Sequence, residues 1–549
     1  MSANRTGALG AATIALFVGG HALAAQNVQA PACARPAAGS AVTPPPSLYS
    51  QRGALTVDLD YVSSVDAAHR TLYCFVTRDG LESPTLHVRP GDTLNINLRN
   101  RLAAPPAGAT GAMAMAVGSD VCGDTTMNAA SVNMHFHGTN TAPTCHSDEV
   151  IHTLVNPGGT FQYHVKFPVN EPPGLYWYHP HVHGQSEAAV LGRASGAIVV
   201  EGIEKVQPDV ARLPERVLVI RDQTVGGRRM PGGRKPSWDL SLNYVPIDFP
   251  SLTPAVIAVR PGRREFWRMV NASADTVMDV ELKYDGVPQP LEVVGLDGVP
   301  TGSQDGTGQG RAVWRKHILM PTGGRAEFIV TTPTSGVGRA ALETRAVDTG
   351  PAGDNDTART LAVLSADGAG AVGTMRSLLA SGAAPPAPLF DRLDGARITA
   401  RRTLYFSEVF EESHIPDEGP IQFYITVKGQ TPRLFSPDNP PAIVTRQASV
   451  EEWTIENRTE EVHEFHIHQI HFKLVGRDGT TLPPDQQQYL DTVHVPYWRG
   501  RGPYPSVTVL MDFRGQVTGD FVYHCHILEH EDGGMMAIIR VLPRVSAAR

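Results

Sequence analysis

Val88-Arg89-Pro90-Gly91-Asp92-Thr93-Leu94-Asn95-Ile96-Asn97-Leu98-Arg99-Asn100 is a turn followed by a strand. Pro90-Gly91 breaks the chain, and from Leu94 apolar and polar residues alternate up to a closing Asn. The phrase recurs twice. Val259-Arg260-Pro261-Gly262 leads into Phe266-Trp267-Arg268-Met269-Val270-Asn271, and Ser449-Val450-Glu451-Glu452 leads into Trp453-Thr454-Ile455-Glu456-Asn457. The closing Asn residues lie 171 and 186 positions apart, the period of a domain and not of a solenoid unit. Alternating strands separated by turns predict antiparallel sandwiches. The chain therefore reads as all-β, with three β-sandwich domains at 45–205, 206–365 and 395–549. An Ala/Gly/Pro-rich linker at 366–394 joins the last two, with one helical-looking piece near Met375-Arg376-Ser377-Leu378-Leu379.

Composition agrees. The 549 residues exceed one domain, 53 Gly and 44 Pro favour short strands and turns, and a net charge of -8 gives no sign of a nucleic-acid surface. At the start, Arg5 precedes an apolar run from Ala8 to Gly20 and the small-x-small Ala22-Leu23-Ala24, so residues 1–24 read as a signal peptide. That run is too short for a permanent span, and no other stretch reaches transmembrane length. Residues 25–44 read as an extended leader. Without a twin-arginine pair the general secretory route is expected, giving an exported protein, periplasmic in a Gram-negative source.

Twelve of the 21 His fall in four clusters. They are His135-Phe136-His137-Gly138; Trp177-Tyr178-His179-Pro180-His181-Val182-His183-Gly184; His463-Glu464-Phe465-His466-Ile467-His468 with His471; and Tyr523-His524-Cys525-His526-Ile527-Leu528-Glu529-His530-Glu531-Asp532-Gly533-Gly534-Met535-Met536. On a strand, each HxH pair puts two imidazoles on one face. In the last cluster Cys525 would face one way, and His524 and His526 the other. Thiolate, imidazole and thioether together suit copper. A single HxH reads as a surface or packed pair; four together point to metal. Two clusters lie in the first domain and two in the third, so a shared site must form between those domains, with the middle one as spacer. Cys33, Cys74, Cys122 and Cys145 remain. Export permits disulfides; proximity favours Cys33–Cys74 and Cys122–Cys145, with buried free thiols as the alternative.

In these four segments, in their order and spacing, the chain resembles the three-domain multicopper oxidases, which include laccases, bilirubin oxidases and bacterial cuprous oxidases. The resemblance covers nearly the whole mature chain and implies three cupredoxin-like Greek-key β-sandwiches holding four copper ions. By motif, His463, Cys525, His530 and axial Met535 would bind a type 1 copper. His135 and His466 would bind the type 2 copper, and His137, His179, His181, His468, His524 and His526 the type 3 pair. The family pattern favours His179 and His181 over His183, and His87, His146, His152, His164 and His471 match no ligand position. Axial Met535 implies a low-to-moderate potential.

The activity implied is four one-electron oxidations of a small reductant coupled to reduction of O2 to water, with Asp148 and Glu531 as candidate proton-relay acids. Bacterial cuprous oxidases carry a Met-rich segment in the third domain; this chain has 13 Met, of which only Met375 lies in the linker. Met113, Met115, Met127 and Met134 cluster loosely in the first domain, where packing is the plainer role. Glu408, Glu411, Glu412, Asp417 and Glu418 open the third domain as an acidic patch that attracts cations or is simply solvated. The substrate reading is thus a laccase-like oxidase of phenols or aromatic amines. The alternatives are a cuprous or other metal-ion oxidase in copper tolerance and, outside enzymes, a copper store or a cupredoxin scaffold.

Overall fold

The computed structural model describes residues 33–105, 122–225, 235–366, 373–374, 387–391, 393–410 and 421–544. The signal peptide, the first part of the leader, the piece at 375–379, and Met113, Met115, Glu411, Glu412, Asp417 and Glu418 lie outside them. Two sheets face each other in each of three units. In the first unit a four-stranded sheet runs in the order Thr71–Thr77, Ala54–Val65, Thr93–Asn100, Thr160–Lys166. It packs Leu59, Phe75 and Ile96 against Leu86, Phe136, Tyr178 and Ile198 of a five-stranded sheet, in which Gly174–His179 pairs with His135–His137. The middle unit joins nine- and six-stranded sheets, the third seven- and five-stranded ones. In the third, Gly519–Cys525 lies between Met536–Leu542 and His463–Ile467.

The repeated phrase holds one place in all three. Thr93–Asn100, Arg264–Asn271 and Val450–Asn457 each pair parallel with the long strand before them, at Ala54, Glu215 and Ala400 onward. Each pairs antiparallel on its other side, with Thr160–Lys166, Arg325–Thr331 and Ser506–Asp512. The closing Asn is fully buried every time, and its chemistry explains its position. The side-chain oxygen accepts the backbone N–H two residues on, from Leu102 (3.0 Å), Ser273 (3.2 Å) and Thr459 (2.9 Å), the Asx turn that ends a strand. The side-chain amide then donates to a carbonyl of a later loop, such as Ala130 (2.6 Å), Thr276 (2.9 Å) and Glu461 (2.7 Å). In the first and third units that loop leads into a His-bearing strand.

Burial alternates along Thr93–Asn100 and along most of Val450–Asn457, but not along Arg264–Asn271. The cause is packing between units: Leu175, Trp177 and Val199 of the first sandwich cover Val217, Val219 and Val270 of the middle one. A sheet covered on both faces has no polar side to alternate with.

The described part of the leader is extended and anchored. Val42 donates to Val256 O (2.8 Å) on the middle sandwich, and Cys33 is bonded to Cys74. A second disulfide joins Cys122 and Cys145 across 23 positions. The linker is less free than its composition suggests. Gly373–Thr374 pairs with Pro214–Glu215, and Phe390 stacks on Tyr489 with ring centroids 5.1 Å apart. Replacing Cys122 and Cys145 together with Ser should cost about 3 kcal/mol, the loop-closure value for a ring of this size, measured by chemical denaturation of the purified, oxidised chain.

Candidate metal centre

Strand Gly519–Cys525 passes between two groups of donors. On one side Cys525 Sγ lies 3.6 Å from both His463 Nδ1 and His530 Nδ1, which are 3.0 Å from each other. All three residues are buried, and Met535 beside them is fully so. The backbone fixes the loop: Cys525 N donates to Met535 O (3.1 Å), and Met535 N to His530 O (2.9 Å). Glu464 N donates to the sulfur at 3.4 Å. Burial pushes the thiol well above its ordinary pKa, so a thiolate here needs a cation among its neighbours. A soft divalent or monovalent metal supplies one.

The outer nitrogens of both imidazoles meet carboxylates. His463 Nε2 lies 3.2 Å from Glu408 Oε1 and 2.9 Å from Thr459 Oγ1, and His530 Nε2 lies 3.1 Å from Glu461 Oε1. Burial raises the Glu461 carboxyl well above its usual range, with Glu408's charge adding to it. For Glu408, burial is the largest single effect, but the hydrogen bond to His463 and the charges of His463 and His530 together outweigh it and hold the carboxyl down.

On the other side eight imidazoles converge. His524 Nε2 lies 3.3 Å from His181 Nε2 and 3.2 Å from His468 Nε2, and His526 Nε2 lies 3.2 Å from His137 Nδ1. His135 stacks on His468 (centroids 3.7 Å) and His137 on His466 (4.0 Å). Donor atoms of His181, His468 and His524, and of His135, His137 and His179, fall within 4.8 Å of one another. Most rings are anchored through one nitrogen. His135 Nδ1 bonds Asp148 (2.9 Å), His179 Nδ1 meets Pro180 O (2.9 Å), His466 Nδ1 meets Asp491 O (2.8 Å) and His524 Nδ1 meets Cys525 O (2.8 Å). The inner Nε2 atoms of His135, His179 and His466 are buried with no hydrogen-bond partner. Burial, and then the neighbouring rings, keep these imidazoles well below their ordinary pKa, so they are neutral with lone pairs free. Anchored outer nitrogens and orphaned inner ones are how metal-binding histidines are held. The residues fit copper at both places.

Two acids flagged in the sequence touch the cluster. Asp148 accepts from His135, from Phe136 N (3.0 Å) and, through Oδ2, from Gln469 Nε2 (2.7 Å); burial raises it to about 7. Glu531 Oε2 lies 3.1 Å from His524 Nδ1, and Glu531 Oε1 lies 3.6 Å from His181 Nδ1. Burial, and secondarily Asp532, pushes Glu531 well up. His183 packs on Phe435 (4.8 Å), Met127 and Met134 are buried in the first sandwich, and His87 pairs with Glu201 (2.7 Å).

The middle sandwich is more than a spacer, because it reaches the cluster. Arg325 donates through Nη1 to Asp491 Oδ1 (2.7 Å), and its Nη2 also binds Asp491. Asp491 Oδ1 lies 3.1 Å from His137 Nε2, and Asp491 Oδ2 lies 3.5 Å from His471 Nε2. Thr322 Oγ1 donates to His526 O (2.5 Å). Gly323, at φ 78°, lies so close that a Cβ there would come within 2.9 Å of His137 and His526. The sequence offered one weak signal for this layer, a Gly323-Gly324 pair just before a strand.

Sequence comparison matches residues 125–204 and 414–545 to models of multicopper oxidase domains. A laccase of Haloferax volcanii is 36% identical over 106 residues, 19% of this chain and 17% of that protein. The multicopper oxidase mco of Staphylococcus epidermidis is 22% identical over 383 residues, 69% of this chain and 70% of that one. The first of these is thus matched over less than a fifth of its length. Among solved structures, a multicopper oxidase from Campylobacter jejuni described as a metallo-oxidase superposes with TM-score 0.66 at 19% identity, covering 93% of this chain and 96% of that one. McoA of Aquifex aeolicus gives 0.64 at 18%, covering 92% and 100%.

Fold and donors together define a cupredoxin-like copper protein. The matched domains, the curated relatives and the structural neighbours all indicate a multicopper oxidase, a family whose members bind four coppers.

Asp491→Asn would leave the buried Arg325 guanidinium with only Asp297 Oδ1, 3.6 Å away, as counter-ion, at a cost of up to about 3–5 kcal/mol. It should weaken metal binding at the eight-histidine cluster about 10–100-fold while the Cys525 site keeps its copper. Copper per chain and the blue absorption, read together, check this; equal loss at both sites would refute it.

Proposed function

We propose that the chain oxidises a small reductant one electron at a time at the Cys525 site and reduces O2 to water at the eight-histidine cluster. One observation carries this reading: a single tripeptide, His524-Cys525-His526, contributes to both donor groups. Copper would supply the redox chemistry, with Cys525, His463, His530 and Met535 holding the type 1 ion. His135 and His466 would hold type 2, and His137, His179, His181, His468, His524 and His526 the type 3 pair. We assign three units to these roles at 45–205, 206–365 and 395–549. Asp148 and Glu531 would hold protons at Oδ and Oε for delivery beside His135 and His524. The signal peptide read at 1–24 supports export to the periplasm or beyond.

For the reductant, Glu408 and Glu461 are the residues that bear on the choice. A carboxylate on each outer imidazole nitrogen favours donors that shed a proton as they lose an electron, which supports phenols and aromatic amines. The same pair supports a metal cation as the second reading. Oxygen uptake with a dimethoxyphenol, an aromatic diamine, Cu(I), Fe(II) and Mn(II) separates the two. Preference for the organic donors, lowered at least about tenfold in Glu408→Gln, is expected; turnover confined to the metal ions would select the second reading.

Cys525→Ser should abolish both the blue absorption and oxygen uptake, and a blue, active variant would defeat the proposal. Asp148→Asn should slow oxygen uptake by about 100-fold. It should also remove the loss of rate as pH rises through about 7, where Asp148 gives up its proton.

A further inference from the structure

Between the middle and third sandwiches lies a cavity of about 570 Å³, the size of a small-molecule site. Its walls are apolar, with Leu296, Ile318, Met320, Leu490 and Val493 among them, and its floor is Asp297, Arg325 and Thr492. Trp314 stands at it with 59% of its surface exposed. The charges are one-sided. Arg315, Lys316 and Arg477 line the cavity, with His317 and His494 held by Asp279 (2.6 Å) and Glu464 (2.7 Å) outside it, and Asp297 is its one carboxylate. Asp297 is already engaged: Oδ1 accepts from Arg325 N (2.9 Å), and Oδ2 from Asp491 N (3.2 Å) and Thr492 N (3.4 Å). Burial also raises its carboxyl to about 7, so it opposes an anion weakly. Arg477 is half-buried and donates to His494 O (3.1 Å), and Arg315 donates to Trp314 O (3.1 Å). Among the described residues neither guanidinium, nor Lys316, has a carboxylate within ion-pairing distance. Lys316 is exposed, whereas Arg315 and Arg477 are half-buried, Arg477 feeling Glu464 and Asp478 only beyond ion-pairing distance; charges drawn out of water are normally paired.

We propose that this cavity is a binding site for a small organic anion with an aromatic body, an aryl carboxylate or sulfonate. The ring would lie on the apolar wall beside Trp314, and the anionic group would pair with Arg477, Arg315 and Lys316. The site is separate from the Cys525 edge, where Glu408, held in its charged form beside His463, would repel the same anion. It also borders the cluster, because Thr492 on its floor has Oγ1 3.1 Å from His466 Nδ1. The proposal does not depend on which reductant the enzyme uses.

Isothermal titration of the copper-loaded full chain with naphthalene-2-sulfonate, which is not a reductant, tests it against the neutral naphthalene-2-sulfonamide. We expect one saturable site, at least about tenfold weaker for the sulfonamide and in the surface variant Arg315→Glu/Lys316→Glu. Arg477→Gln should weaken it similarly, while Glu408→Gln should leave it unchanged. Equal affinity for the neutral analogue, no saturable binding, or full binding by the Arg315→Glu/Lys316→Glu variant would overturn the proposal.

Discussion

A carboxylate with no exposure, Asp491, is the point on which the three sandwiches depend. It is carried by the third unit, charge-paired by Arg325 of the middle unit, and aimed at His137 of the first. A buried ion pair adds little net stability by itself, since desolvating both charges offsets their attraction. Its value is positional. Removing Arg325 leaves Asp491 uncompensated in the interior, and removing Asp491 leaves Arg325 only the longer 3.6 Å pair with Asp297, so the pair favours the arrangement in which all three units meet. Gly138 and Gly323 show how close that meeting is: a Cβ on Gly138 would come within 2.2 Å of Arg325 Nη2, and one on Gly323 within 2.9 Å of His526. Both residues take positive φ, 84° and 78°, which glycine adopts without strain.

The strand Gly519–Cys525 works within that frame. Its period of two sends Cys525 into the hydrophobic core of the third sandwich, beside Phe465 and Tyr523, and sends His524 and His526 outward to the first sandwich. No loop could do this as reliably, because a strand fixes the direction of successive side chains through its ladder. Phe465 faces Cys525 and His466 faces His524 in register across the neighbouring strand. The alternation on that neighbour therefore sorts its own residues to the same two sides.

What was legible in the sequence was periodic or chemically loud. The turn-strand-Asn phrase announced the three sandwiches because each copy is built the same way, down to the buried Asn that caps its strand. The HxH pairs and the His-flanked Cys announced metal. What stayed hidden was the layer between units. Arg325 and Asp491 are ordinary residues in sequence, and only their meeting across 166 positions gives them meaning. Arg264–Asn271 misleads in the same way, because the partner that covers its second face lies in another unit. The acids on His463 and His530 were half visible: Glu408 belonged to an acidic patch, whereas Glu461 sat unnoticed two residues before a ligand candidate.

The same interfacial construction ties folding to metal. Gathering eight neutral imidazoles from two sandwiches costs their desolvation, and it sets nitrogens such as those of His181 and His524 face to face at 3.3 Å without enough protons to share among them. Hydrophobic packing within each sandwich does not offset that cost, because the rings lie where the units meet and not in a core. A cation shared by rings of the first and third units does offset it, by turning facing lone pairs into ligands. A metal ion held there would act as a clamp between units, and its binding energy would become part of what holds the first sandwich on the third.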